Sequence, residues 1–200
     1  DPLIRSAREE PAFRAHCLAA LSAMDDGAAY DSLKTLLSVK SAETRYGAFR
    51  SLRSMAPNDA FLRGEDFNGL FTYHILDVSG EPMVHATSSH RPEIVLFGHN
   101  HPLELPLVLD AGPRILVNGL EGTQIKVSHF SETTQQRVVA NDVDSVIRAI
   151  VELGGTYPDV VQFLQQAKAA GSLNSRFRVN ALPKVGRKRT VFSSDDEAEE

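Results

Sequence analysis

Residues 141–173, NDVDSVIRAIVELGGTYPDVVQFLQQAKAAGSL, constrain the fold more than any other stretch of the chain. Two helical patterns with readable starts and stops follow each other across a Gly-Gly turn. Asn141 or Asp142 caps the first and Gly154 ends it. Thr156, Pro158 and Asp159 open the second with a Thr-x-x-Asp box and an early proline, and Gly171 closes it. Val143, Val146, Ile147, Ile150 and Leu153, then Val160, Phe163, Leu164 and Ala167, recur at spacings of three and four, so each helix has one face to bury. The stretch 176–182 alternates Phe177, Val179 and Ala181 inward as a strand and stops at Pro183. A strand, two helices and a returning strand make an α+β unit in which the helix pair covers one face of a sheet.

Upstream, short segments rich in Val, Ile, Phe, Tyr and Thr are separated by Gly, Pro, Asn or Asp: 70–77, 82–87, 93–97, 105–109, 114–117, 123–130 and 136–140. These are predicted strands. Residues 77–80 and 118–122 read as hairpin connections. The second joins RILVN to TQIKVSHF, where alternation puts Ile125, Val127 and His129 on one side. The turn-forming stretch 56–66, with Pro57, Asn58, Asp59 and Gly64, marks a boundary, and before it residues 11–59 carry helical periodicity throughout.

That helical part contains a self-match. Arg14-Ala-His-Cys-Leu-Ala-Ala-Leu-Ser-Ala-Met24 aligns with Arg45-Tyr-Gly-Ala-Phe-Arg-Ser-Leu-Arg-Ser-Met55: arginine opens both, Cys17 pairs with Ala48, Leu18 with Phe49, Leu21 with Leu52, and methionine closes both. Between them Ala29, Leu33, Leu36 and Leu37 form the stripe of a partner helix. About sixty residues thus resemble short HEAT-type helix-pair repeats, with residues 1–9 as the end of a preceding repeat; a three-helix bundle is the alternative. The chain begins at Asp1, which reads as a processed or excised segment.

With 42% apolar residues the chain can build a sizeable core, and a formal net charge of -5 gives no general attraction to nucleic acid or anionic lipid. No apolar run reaches the roughly 18 residues of a membrane span. Cys17, the sole cysteine, lies on an apolar helical face and reads as a small buried hydrophobe. The charged run 184–200, basic at GRKRT and acidic at SSDDEAEE, reads as a disordered tail.

Four of the seven histidines, His85, His90, His99 and His101, fall within HATSSHRPEIVLFGHNH and form the best lead towards an enzyme, a metal-dependent hydrolase. FGHNHP resembles the Gly-His-x-His of calcineurin-like metallophosphatases and the His-x-His-Pro of JAMM-type metalloproteases. The first family also needs an Asp-x-His, a Gly-Asp and an Asn-His outside this stretch, all lacking here. In the second, a serine and an aspartate stand where this chain has Leu109 and Gly112, with Asp110 out of register. His99 and His101 would be the metal ligands in that alternative. Otherwise His85 and His90 flank a turn, His99 and His101 cap the end of a strand, and His74 and His129 are strand histidines. Nucleotide-binding glycine motifs and a nucleophile elbow are lacking as well.

The helix pair followed by RFRV resembles the C-terminal end of the bacterial flagellar P-ring protein family. That family has a helix ending in Leu-Gly, a Thr-x-x-Asp helix start, a Lys-Ala-Ala-Gly-x-Leu close and a final strand; here these are Leu153 with Gly154, Thr156 with Asp159, and residues 168–173. RILVNGLEGTQIKV resembles the strand-turn-strand before it. The similarity covers residues 114–179, and the larger N-terminal part of the family is replaced here by helices. It implies a non-catalytic structural protein of the periplasm or cell envelope that assembles into a ring. The expectation is therefore an α+β chain with HEAT-like repeats at 1–60, an α+β module at 67–183 and a charged tail at 184–200. It acts through protein partners or self-association, without catalysis, cofactor, resident metal, nucleic acid, membrane span or small-molecule substrate.

Overall fold

The strand β4 (Glu93–Phe97) holds the apolar run Ile94 to Phe97 and lies at the centre of a five-stranded mixed sheet. This computed structural model describes residues 2–24, 26–119 and 122–183, and the expected tail at 184–200 lies outside the described residues. The sheet runs in the order β1 (Glu65–Phe67), β2 (Phe71–Leu76), β4, β3 (Met83–Ala86) and β9 (Arg176–Val179). β2 is parallel to β4 and β3 to β9, while β1 with β2 and β3 with β4 are antiparallel. A strand buried on both faces is apolar at nearly every position, and β4 meets that description. A second sheet is an antiparallel meander of β5 (Leu107–Ala111), β6 (Ile115–Gly119), β7 (Gln124–His129) and β8 (Gln135–Ala140).

Helices α1 (Pro2–Glu9), α2 (Arg14–Met24), α3 (Gly27–Leu36) and α4 (Ala42–Met55) cover one face of the five-stranded sheet. Their core is continuous with Leu76, Met83, Val95 and Phe97 of the strands. The self-matching positions Cys17 and Ala48, Leu18 and Phe49, and Leu21 and Leu52 are all buried, whereas Met24 is exposed and Met55 half-buried. Arg14 and Arg45 also do the same work: Arg14 Nε donates to Ala7 O at 3.2 Å and Arg45 Nε to Leu37 O at 2.7 Å, each tying its helix to the end of the preceding one.

The opposite face of that sheet meets α5 (Val143–Glu152) and α6 (Tyr157–Ala169), which also contact the four-stranded sheet. The caps are those expected. Asp142 accepts from Ser145 N–H, the Asp159 carboxylate accepts from both Thr156 N–H and Oγ1–H at 2.7 Å, and Gly154 and Gly171 take φ of +87° and +77°. Gly112 at the β5–β6 turn has φ +76°, and a Cβ there would lie 1.9 Å from Asp159 Oδ1, so the turn closes directly on the α6 cap.

The fold is α+β, and several local expectations differ from it. Residues 77–80 are not a hairpin turn, because β4 is inserted between β2 and β3; its apolar run takes the doubly covered position. The returning strand β9 joins β3 in the five-stranded sheet and not the sheet that contains β8. The helix pair is therefore sandwiched between sheets. Ala149 and Val151 are buried alongside the predicted stripe of α5, and Val179 is exposed.

Arg45 joins the helical layer to the sheet. It is 1% exposed, its Nη1 donates to Glu81 O at 2.6 Å, and its guanidinium lies 4.7 Å from the Phe97 ring centroid. Arg45→Ala would leave two carbonyls unpaired and a cavity, and is expected to cost about 3–5 kcal/mol in urea unfolding. Arg45→Met keeps most of the volume and removes the buried charge, so its cost should be smaller. An alanine effect within the roughly 0.5 kcal/mol of an ordinary surface substitution would contradict this assignment.

Candidate functional site

The four histidines of the sequence cluster are separated by the fold. His85, on β3, faces the helical layer fully buried, stacks on Tyr46 at 3.7 Å between centroids, and accepts the Ala181 N–H on Nε2 at 3.0 Å. His90 is exposed in the β3–β4 connection. His99 points outwards to Asp77 at 2.9 Å, while His101 turns inwards, with Nδ1 2.9 Å from Ser175 Oγ and Nε2 3.0 Å from Gly98 O. The two end-of-strand histidines thus take different partners, although both line a cavity of about 420 Å³ with Asp142 and Asp144, past the point where the backbone turns at Gly98, at φ +96°. Among the described residues no group of three or more His, Cys, Asp or Glu side chains is arranged to hold a metal.

A denser polar network surrounds Glu93, the first residue of β4. Its carboxylate accepts from the Tyr46 hydroxyl and from Arg53 Nη1, the latter at 2.7 Å. Its N–H donates to Thr87 Oγ1 at 3.0 Å. Burial, then the bond to Glu93, pushes the Tyr46 hydroxyl well above its ordinary pKa. His74 Nε2 lies 3.9 Å from Glu93, yet burial and the Arg53 charge hold the ring down to a pKa of about 4, so near pH 7 it is neutral and the contact is not an ion pair. Its Nδ1 lies 3.1 Å from Leu62 O.

This network forms one wall of a cleft of about 380 Å³ between α4, the β3–β4 connection and the residues after β9. Arg50, Arg53 and Arg91 line it together with Ser54, Ser89 and Asn180. Arg53 is neutralised by Glu93, whereas Arg50 and Arg91 form no ion pair among the described residues. Asn180 sits at φ +53°, a conformation asparagine tolerates, and its Oδ1 accepts from Ser88 N–H at 2.8 Å, which fixes the rim. The sequence reading missed this cleft. Arg50 and Arg53 are one turn apart on a helix, but Arg91 joins them only through the sheet.

A second exposed feature is strand β8. Its residues are exposed or half-buried, Val138 is 57% exposed, and among the described residues it pairs with β7 alone. Register places Val138 opposite Lys126, and Arg137 pairs with Glu152 of α5 at 3.5 Å.

Burial holds both His74 and His85 down to a pKa of about 4, against an ordinary 6.5. The unfolded chain therefore binds protons that the folded chain refuses between these values, and stability rises with pH across the window. Folding stability should be level above about pH 7 and fall as pH drops from about 6.5 towards 4, by up to a few kcal/mol. Urea unfolding across this range checks it; a midpoint unchanged down to about pH 4.5 would contradict the burial of two neutral rings.

Comparison with family models, with curated proteins and with solved structures finds no match for this chain.

Proposed function

We propose that the chain is a non-catalytic structural protein of the bacterial cell envelope, P-ring-like in its C-terminal part, that works through protein contacts and self-association. The observation that carries the proposal is the open edge of β8, a strand of six residues whose unpaired side suits addition of a strand from a second subunit. The resemblance of residues 114–179 to the P-ring family supports the envelope role. The matched arginine-to-carbonyl contacts of Arg14 and Arg45 support taking the helical layer as two short HEAT-like helix pairs. The side chains that suggested a hydrolase have other partners: His101 is bonded at both ring nitrogens, and His85 is stacked and buried. No helix among the described residues is long and apolar enough to cross a membrane.

Sedimentation velocity and metal analysis of the purified protein test the proposal together. The expected result is concentration-dependent association beyond the 21.9 kDa monomer without stoichiometric metal. Val138→Lys places a charge on the β8 edge and should weaken that association about tenfold or more, equivalent to roughly 1.4 kcal/mol, with the fold unchanged by circular dichroism. A monomer at every concentration would contradict it. So would stoichiometric zinc that is lost when His99 and His101 are changed to alanine.

A further inference from the structure

The last described residues lie beside the arginine-lined cleft. Leu182 forms part of its rim, and Pro183 packs over Gly47 of α4, where an added Cβ would lie 2.9 Å from Pro183 Cγ. Gly47 and Arg50 are three apart on that helix and so share a face. Pro183 is thus held within one helical turn of an arginine that has no counter-ion among the described residues. Twelve residues after Pro183 the sequence becomes acidic, with Asp195, Asp196, Glu197, Glu199 and Glu200.

We propose that the cleft formed by Arg50, Arg53 and Arg91 binds the chain's own acidic stretch, residues 195–200, as an intramolecular acidic peptide. Charge complementarity is direct: Glu93 neutralises Arg53 and leaves two guanidiniums facing the cavity, each able to take a carboxylate in a forked pair. Ser54, Ser89 and Asn180 add hydrogen-bonding groups on the walls. Reach is ample, since eleven residues separate Pro183 from Asp195 and a chain of that length spans up to about 40 Å when extended. Tethering at that length gives an effective concentration on the order of millimolar, enough for a weak ionic contact to be populated. Arg187, Lys188 and Arg189 have the same sign as the cleft and do not compete for it. Surface pairs of this kind are salt-sensitive, so occupancy falls as ionic strength rises.

Cys17 is buried, so a cysteine introduced by Ala198→Cys can be nitroxide-labelled selectively in the full chain. At about 0.02 M salt the amide signals of Arg50, Ser54 and Arg91 should lose roughly half their intensity or more, and should recover at about 0.5 M salt. The effect should vanish in Arg50→Glu/Arg91→Glu and persist in Arg114→Glu, which alters an exposed arginine outside the cleft, on the four-stranded meander. Neutralising the five tail acids as Asn and Gln tests the other partner without touching the described fold and should also abolish it. Unbroadened cleft signals at low salt overturn the proposal, as does broadening that survives either the cleft or the tail substitutions, or that Arg114→Glu removes equally.

Discussion

Arg45 carries a guanidinium into a site with 1% exposure, where Nε and Nη1 donate to two backbone carbonyls, Leu37 O at the end of α3 and Glu81 O at the approach to β3, over the ring of Phe97, and Nη2 has no hydrogen-bond partner among the described residues. Burial and the nearby Arg176 charge lower its pKa to about 10, and it still carries its proton near neutral pH. A charge in such a place is tolerated only when its hydrogen bonds are fixed by surrounding backbone. That requirement pins three elements at once. Next to it Tyr46 stacks on His85, Phe49 meets His74 and Phe97 edge-on, and Arg53 bonds Glu93, so α4 docks on the sheet through rings and two cations.

From this contact the layers follow. Because α4 covers the faces of β2, β3 and β4 that carry His74, His85 and Phe97, those strands are buried on both sides, and the other side is left for α5 and α6. The helix pair reaches back to the same sheet through Arg148, over the rings of Phe67 and Tyr73, and through Tyr157, whose hydroxyl donates to Thr87 O. Thr87 also holds Glu93 in place, which in turn positions Arg53 at the cleft. Of the histidines that looked like ligands, two serve this packing: His85, with His74, fills the helix–sheet interface, and His101 ties the end of β4 to Ser175 before β9. The β8 edge and the arginine cleft face solvent.

The local elements were legible in the sequence because their signals are local. Helix caps at Asp142 and Thr156, glycine stops at 154 and 171, and the stripe of Ala29, Leu33, Leu36 and Leu37 depend on residues a few positions apart. Strand order was not legible. Nothing near Asp77 to Gly80 announces that a later strand will be inserted between β2 and β3, since this depends on which run best withstands burial on both faces. The cleft was invisible for the same reason: Arg91 lies far from Arg50 and Arg53 in sequence and joins them only through the β4 register. The strand ends at Phe97 and the chain turns at Gly98, so His99 and His101 lie past the strand's end with different partners, Asp77 and Ser175.

The central claim is that the helical layer and the five-stranded sheet form a single cooperative unit locked at Arg45. Native-state hydrogen exchange of the Phe49 and Leu52 amides in α4 and the Val95 and Leu96 amides in β4, followed with increasing denaturant, tests it most directly. Both sets are expected to merge into one opening reaction with the same free energy and denaturant dependence. Helical amides that exchange through a separate, lower-energy opening while β4 stays protected would contradict it.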